Sequence, residues 1–544
     1  MGLGGRRPLA TSGARTVPLL LVTAIVAGAC TTPPSRPGPG GGPTPGPTDA
    51  ATPTPSVARV AISQPGGLDP AAMGGPDDLL LAAQLFDGLV SYAPGTEALV
   101  PAAARAWEVE DGGRRFVFHL RRGGRFHDGS PVRAQDFVFA WNRLADPLVA
   151  APYAFLLEPV AGYDRYQRRL AERGMSGLSA PDARTLEVRL SAPWPGFPQV
   201  LGHPALSPVP PSADDEEEFA LRPVGNGPFR LTGPVVPGGP IVMERFLGYA
   251  GSPAGVDQLV FRVFEDREEA WPAFLAGDLE VAPIPPAALA DAQGRFGSEG
   301  IVTLGRLLYC GLNQLDPRLR SRKLGVAISL AVDRGAIASR VYGGLAVPAT
   351  GIVPPTIPGA QPDSCGNRCA PDPDRARALV EELPERSRSF ALDYASSDTG
   401  DALAEVLVAA LEAVGLELRP RSHEDRQYAA LLQREREEAF CLVWVADAPR
   451  QQALLEPLLR SGSPDNHAGF EDRAVDRILE RARAERSAAR RQALYARAER
   501  TALTRMPLVP LVWLRSDLAV QPTVEGFSVD PLGLFDASRL QLGS

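Results

Sequence analysis

The residue whose type and setting best suit chemistry is Asp447, which follows the apolar run Phe440-Cys-Leu-Val-Trp-Val-Ala446. A carboxylate at the end of a buried strand lies where α/β folds gather ligands, and it suits a cation that must give up its water. Trp444, three residues earlier, can wall such a site. The competing reading is an aspartate in a surface turn, since Ala448-Pro449-Arg450 follows it directly.

Catalytic chemistry finds no comparable footing. The histidines are His119, His127, His203, His423 and His467, and none belongs to a His-Glu-x-x-His or other closely spaced metal cluster. No Gly-x-Ser-x-Gly elbow and no Gly-x-x-x-x-Gly-Lys-Ser/Thr phosphate loop occurs, so no catalytic residue, metal ligand set or cofactor is assigned. His127 reads as structural, while His423 and His467 are the two that can reach a cleft. Four cysteines of the body can pair in an oxidising compartment. Cys365-Gly-Asn-Arg-Cys369 can close a small disulfide loop, and Cys310 and Cys441, both in apolar strand-like runs, are either buried thiols or a second bridge.

The elements that must position these groups alternate strand-like and helix-like patterns, which predicts an α/β architecture. Phe116, Phe118 and Leu120 share one face of a strand, as do Leu186, Val188 and Leu190 of another. Phe137, Ala140, Trp141 and Leu144 follow helical spacing, as do Leu324, Ile328, Ala331 and Val332, whose helix is expected to stop at Gly343-Gly344. Phe440–Val445, apolar on both faces, reads as a central buried strand. Two Arg- and Ala-rich helices fill Asp472 to about Leu503, with solvated charge runs. Trp107, Trp141, Trp194 and Trp271 are expected in packing roles.

A chain of 544 residues with 44% hydrophobic and 22% charged residues can bury large cores. Its formal net charge of -8 repels polyanions, so nucleic acid is excluded as a partner. Arg6, Arg7 and Arg15 followed by the short apolar stretch Val17–Ala29 read as an export signal over residues 1–29. A membrane span needs roughly 20 apolar residues, more than this stretch offers. Val26-Ala27-Gly28-Ala29-Cys30 resembles the bacterial lipobox, which implies diacylglycerol on the Cys30 sulfur and attachment to a membrane. Residues 30–56, almost wholly Pro, Gly, Thr and Ser, form an extended tether.

From Leu68 onward the chain resembles the family-5 solute-binding proteins of bacterial ABC importers, which include peptide-binding and nickel-binding lipoproteins. The resemblance rests on an ordered series of blocks. They are Leu68-Asp-Pro70, Leu85-Phe-Asp-Gly-Leu-Val90, Leu99-Val-Pro101 through Trp107, Phe116-Val-Phe-His-Leu-Arg121, Phe126-His-Asp-Gly129, Pro223-Val-Gly-Asn-Gly-Pro-Phe229, Ala331-Val-Asp-Arg334 and Trp444-Val-Ala-Asp447. Asn226 replaces the family's usual threonine, and Lys323 stands where an arginine is usual.

The resemblance implies a two-lobed periplasmic-binding-protein-like fold of type II with an extra domain and a ligand cleft between the lobes. Residues 57–86, 223–308 and 512–544 make domain I, residues 87–222 the extra domain II of the same lobe, and residues 309–511 domain III, the second lobe. Asp447 would hold the α-ammonium group of an oligopeptide and Trp444 would shape the pocket. The expected partners are that peptide and the permease subunits of an ABC importer, with the receptor itself a monomer. A nickel chelate or an oligosaccharide is the alternative ligand, and a sensor or scaffold without an importer is the alternative role.

Overall fold

The computed structural model describes residues 55–93, 98–170, 174–434 and 437–543. The export signal, Cys30 and the tether up to residue 54 lie outside the described residues.

Three sheets organise the body. The first has six strands in the order Leu518–Val520, Val281–Pro283, Val57–Ile62, Gln258–Val263, Ile241–Arg245 and Phe229–Leu231. Val57–Ile62 runs parallel to Gln258–Val263, with Val57 opposite Gln258. The second also has six, ordered Ala346–Pro348, Leu508–Arg515, Thr303–Leu312, Ala439–Val445, Ser389–Ala395 and Glu417–His423. Four antiparallel strands, Ala104–Glu110, Arg115–Leu120, Thr185–Arg189 and Leu178–Asp182, form the third.

Side-chain alternation explains which faces were buried. Phe116, Phe118, Leu120, Leu186 and Val188 pack under the helix Ala134–Leu144, whose Phe137, Ala140, Trp141 and Leu144 face them. That layer shares one hydrophobic core with the first sheet, and a second large core, from Leu307 to Trp513, belongs to the second sheet. These cores define two lobes. The chain passes between them beside Val302 and Ser516, where Ser516 N–H donates to the Val302 carbonyl (2.8 Å) and Val302 N–H to Ser516 Oγ (2.9 Å). No described helix is long and apolar enough to cross a membrane.

One expectation changes here. The helix beginning at Arg322 does not reach Gly343-Gly344 but ends at Ala331, and Val332 is extended. Asp333 then caps a new turn, its carboxylate accepting from Gly335 N–H (2.9 Å) and Ala336 N–H (3.1 Å). Neither Gly225 nor Gly227 has a positive φ. What they provide is room: a β-carbon at Gly225 would lie 1.9 Å from the Leu85 carbonyl oxygen, and one at Gly227 would lie 2.6 Å from the Leu85 carbonyl carbon. The motif blocks interlock there. Gly225 N–H donates to His127 Nδ1 (3.1 Å), His127 N–H to the Gly225 carbonyl (2.8 Å), and Asn226 Oδ1 accepts from Asp87 N–H (2.9 Å).

Candidate ligand-binding site

The strand Ala439–Val445 pairs along its whole length with Thr303–Leu312, placing Val445 opposite Arg306. On its other side it pairs with Ser389–Ala395 only at Ala439 and Phe440. The strand is therefore central at its start and open along one edge beyond Cys441, and Val443 and Val445 are 40% and 52% exposed. This corrects the reading of a strand buried throughout. Ala446 N–H donates to the Gly305 carbonyl (2.8 Å) on the Thr303 strand. Alternation along the strand turns the N–H and C=O groups of Val443 and Val445 the opposite way, toward the open edge.

Trp444 lies on the opposite face from those valines, half-buried against the second core, and its indole N–H donates to the Ala453 carbonyl (2.8 Å). It supports the loop that follows the strand. Asp447 stands at the start of that loop. Its Oδ1 is shielded from solvent and has no hydrogen-bond partner, and the nearest charge is Arg450 Nη2 at 3.8 Å. Burial raises the Asp447 carboxyl above its ordinary range, opposed by the positive charge of Arg450.

Arg450 reaches from the second lobe to the first. Its guanidinium lies 4.9 Å over the Trp194 ring, and Nη1 donates to the Gly196 carbonyl (3.5 Å). Arg483 lies over the same ring at 4.9 Å. Next to Arg450, Gln451 donates from Nε2 to the Gly359 carbonyl (2.7 Å). Buried polar atoms without partners gather here: Trp194 Nε1, Thr356 Oγ1, Asp447 Oδ1, Arg450 Nε and Gln451 Oε1. Buried polar groups are ordinarily hydrogen-bonded, so such a cluster marks a place built for an occupant. A cleft of about 740 Å³ adjoins it, lined by Leu99, Trp107 and Gln199 on one side and by Thr356, Pro358 and Arg491 on the other.

Arg306, on the same sheet face as Val445, also has an unpartnered buried Nε and joins no ion pair among the described residues. Burial lowers its pKa. The geometry thus brings Asp447 together with Trp194 and Arg450, which the sequence reading did not single out as binding residues. Arg450 had been noted only as a residue in the turn after Asp447.

The other sequence candidates stand elsewhere. Cys365 and Cys369 are joined by a disulfide, with Cα atoms 5.6 Å apart, and Cys310 and Cys441 by a second across paired strands, at 4.0 Å. His127 sits in the interlocked turn, His423 Nε2 meets Asp393 Oδ1 at 2.6 Å, and His467 stands edge-on to Phe440. Among the described residues, no group of three His, Cys, Asp or Glu side chains is placed to hold a metal.

Residues 98–466 match the family described as bacterial extracellular solute-binding proteins, family 5 Middle. The chain is 29% identical over 492 residues to the periplasmic oligopeptide-binding protein OppA of Escherichia coli, covering 86% of this chain and 89% of OppA. It is also 29% identical over 483 residues to the probable deoxycholate-binding periplasmic protein YgiS of Escherichia coli, covering 86% and 89% of the two chains. Among solved structures, the Haemophilus influenzae OppA complex with RPPGFSPFR superposes with a TM-score of 0.70 at 24% identity, over 89% of this chain and 99% of the other.

Proposed function

The chain belongs to the family 5 bacterial extracellular solute-binding proteins, and we propose that it captures oligopeptides between its lobes for an ABC importer, tethered to the membrane by lipid on Cys30. It is a binding protein of the peptide-transport family and not an enzyme. Relatives named for oligopeptides and for deoxycholate are equally similar, so the choice of ligand rests on the site.

One observation carries the peptide reading: the open edge of Ala439–Val445 leads directly to Asp447, whose buried Oδ1 accepts no hydrogen bond. An extended peptide can add as a strand to that edge, its backbone pairing with Val443 and Val445 whatever its side chains. Run antiparallel to the strand, its α-ammonium arrives at Asp447. Ligand contacts to both lobes would favour the closed arrangement and let a permease distinguish loaded from empty receptor. A single-chain receptor suffices for this task.

Native mass spectrometry of the protein with a defined library of di- to hexapeptides tests the proposal. Retained peptides, with N-acetylated forms bound at least about tenfold more weakly and that difference abolished in Asp447→Ala, are the expected outcome. If no peptide is retained while a bile acid, sugar or metal chelate is, the peptide assignment fails.

A further inference from the structure

Asp447 does not face an empty neutral pocket. Arg450 Nη2 stands 3.8 Å from Asp447 Oδ1, close enough to share its field but too far for a hydrogen bond. The guanidinium is fixed rather than free: its side chain is 8% exposed, it lies over Trp194, and Nη1 donates to the Gly196 carbonyl. Around this fixed pair, one buried acceptor, Asp447 Oδ1, and two buried donors, Arg450 Nε and Trp194 Nε1, have no partners. Glu456, which also acts on Asp447, is itself held by Arg483 at 3.5 Å.

We infer that the ligand end seated at Asp447 carries a carboxylate beside its ammonium, with the ammonium on Asp447 and the carboxylate on Arg450 and the Trp194 indole N–H. The inference rests on the proposed role of Asp447 and names the chemistry that the same site selects. A simple N-terminal residue satisfies only Asp447 Oδ1. It brings a second cation against Arg450 and leaves two buried donors desolvated, an arrangement that lowers affinity. An end bearing both charges answers all three atoms, with its carboxylate drawn to the Arg450 guanidinium. Two kinds of ligand have this chemistry: a peptide with aspartate or glutamate first, and a peptide begun by a γ-linked glutamyl group, whose ammonium and carboxylate share one carbon.

Titration calorimetry on the full chain with paired ligands decides between them. Asp-Ala-Ala against Asn-Ala-Ala isolates the side-chain carboxylate, and γ-glutamyl-Ala-Ala against γ-aminobutyryl-Ala-Ala isolates the α-carboxylate. In at least one pair the acidic member is expected to bind about tenfold or more tightly, and that pair identifies the ligand source. Arg450→Gln is expected to bring the two members of that pair within about threefold of each other. If Ala-Ala-Ala binds and neither pair differs on the unaltered protein, the inference falls and the peptide reading stands. If none of the peptides binds, the peptide reading itself falls. Equal weakening of all ligands by Arg450→Gln makes Arg450 only a contact between lobes and also overturns the inference. Should that variant fail to fold, the ligand pairs on the unaltered protein still decide.

Discussion

The guanidinium of Arg450, from the second lobe, lies 4.9 Å over the indole of Trp194, from the first, and Arg483 approaches the same ring as closely. A cation over an indole face contributes about 0.5–2 kcal/mol, more as the pair is desolvated. Trp194→Ala is therefore expected to loosen the lobes, and Trp194→Phe to retain part of the contact. Small-angle scattering of the unliganded protein should show a larger radius of gyration for the alanine variant. An unchanged radius would mean that the pair does not hold the lobes together.

The turn Gly225-Asn226-Gly227 is filled to the limit, since a methyl group at Gly225 would meet the Leu85 carbonyl oxygen at 1.9 Å. Gly225→Ala must displace backbone and break the bonds with His127, so a loss of roughly 2 kcal/mol or more is expected in urea unfolding. Gly233→Ala is the matched control: no atom lies within 4 Å of its added carbon, and its φ is not positive. It should leave stability nearly unchanged.

His127 in that turn is held neutral, its pKa lowered from 6.5 to about 4, chiefly by burial and against the Gly227 carbonyl at 3.3 Å, which favours the proton. The unfolded chain binds the proton more readily than the folded one between those two values. Stability contributed by this group is thus complete above about pH 6.5 and is lost as pH falls toward 4. His203, lowered to about 3 by burial, acts in the same direction. Unfolding measured from pH 7 to 4 should show a shallower decline for His127→Gln than for the unaltered protein. Equal slopes would remove His127 as a cause.

Asp87 has the opposite sign. Burial raises its carboxyl from 3.8 to about 7, opposed by the Tyr249 hydroxyl, which donates to Oδ2 at 3.2 Å, and by Arg121, while Asp536 adds to the rise. The folded protein binds the extra proton between pH 3.8 and 7, so this group's cost grows as pH rises through that window. Asp87→Asn keeps an acceptor for Tyr249 and removes the charge. Its stability relative to the unaltered protein should increase from pH 4 to 7. A pH-independent difference would contradict this.

The sequence was most informative where one element suffices to define a feature. Alternation marked the faces of Arg115–Leu120 and Thr185–Arg189, and the step from apolar run to carboxylate marked Asp447. It was silent where a second, distant segment decides. The apolar run Phe440–Val445 looks the same whether its neighbour follows it or departs after Phe440, and that departure is what exposes Val443 and Val445. Trp194 has the composition of a packing residue until Arg450 lies over it. The break at Val332 depends on Asp333 turning its carboxylate onto two amides, a local competitor that helical spacing does not reveal.

The disulfides extend that contrast to stability. Strand pairing sets Cys310 opposite Cys441 and closes a loop spanning 131 residues, whereas Cys365 and Cys369 are separated by 4. In the chain-entropy account a cross-link stabilises by restricting the unfolded chain, and the effect grows with the logarithm of loop length. That gives about 5 kcal/mol for the long loop and about 2 for the short one. Cys310→Ala with Cys441→Ala should therefore lower the urea midpoint more than Cys365→Ala with Cys369→Ala, and reduction should act through the long loop. Cys441 also lies in the strand whose open edge leads to Asp447, so losing its bridge should weaken peptide binding as well as folding. A variant that loses stability while binding peptide with full affinity would show that pairing with Thr303–Leu312 alone keeps that edge in place.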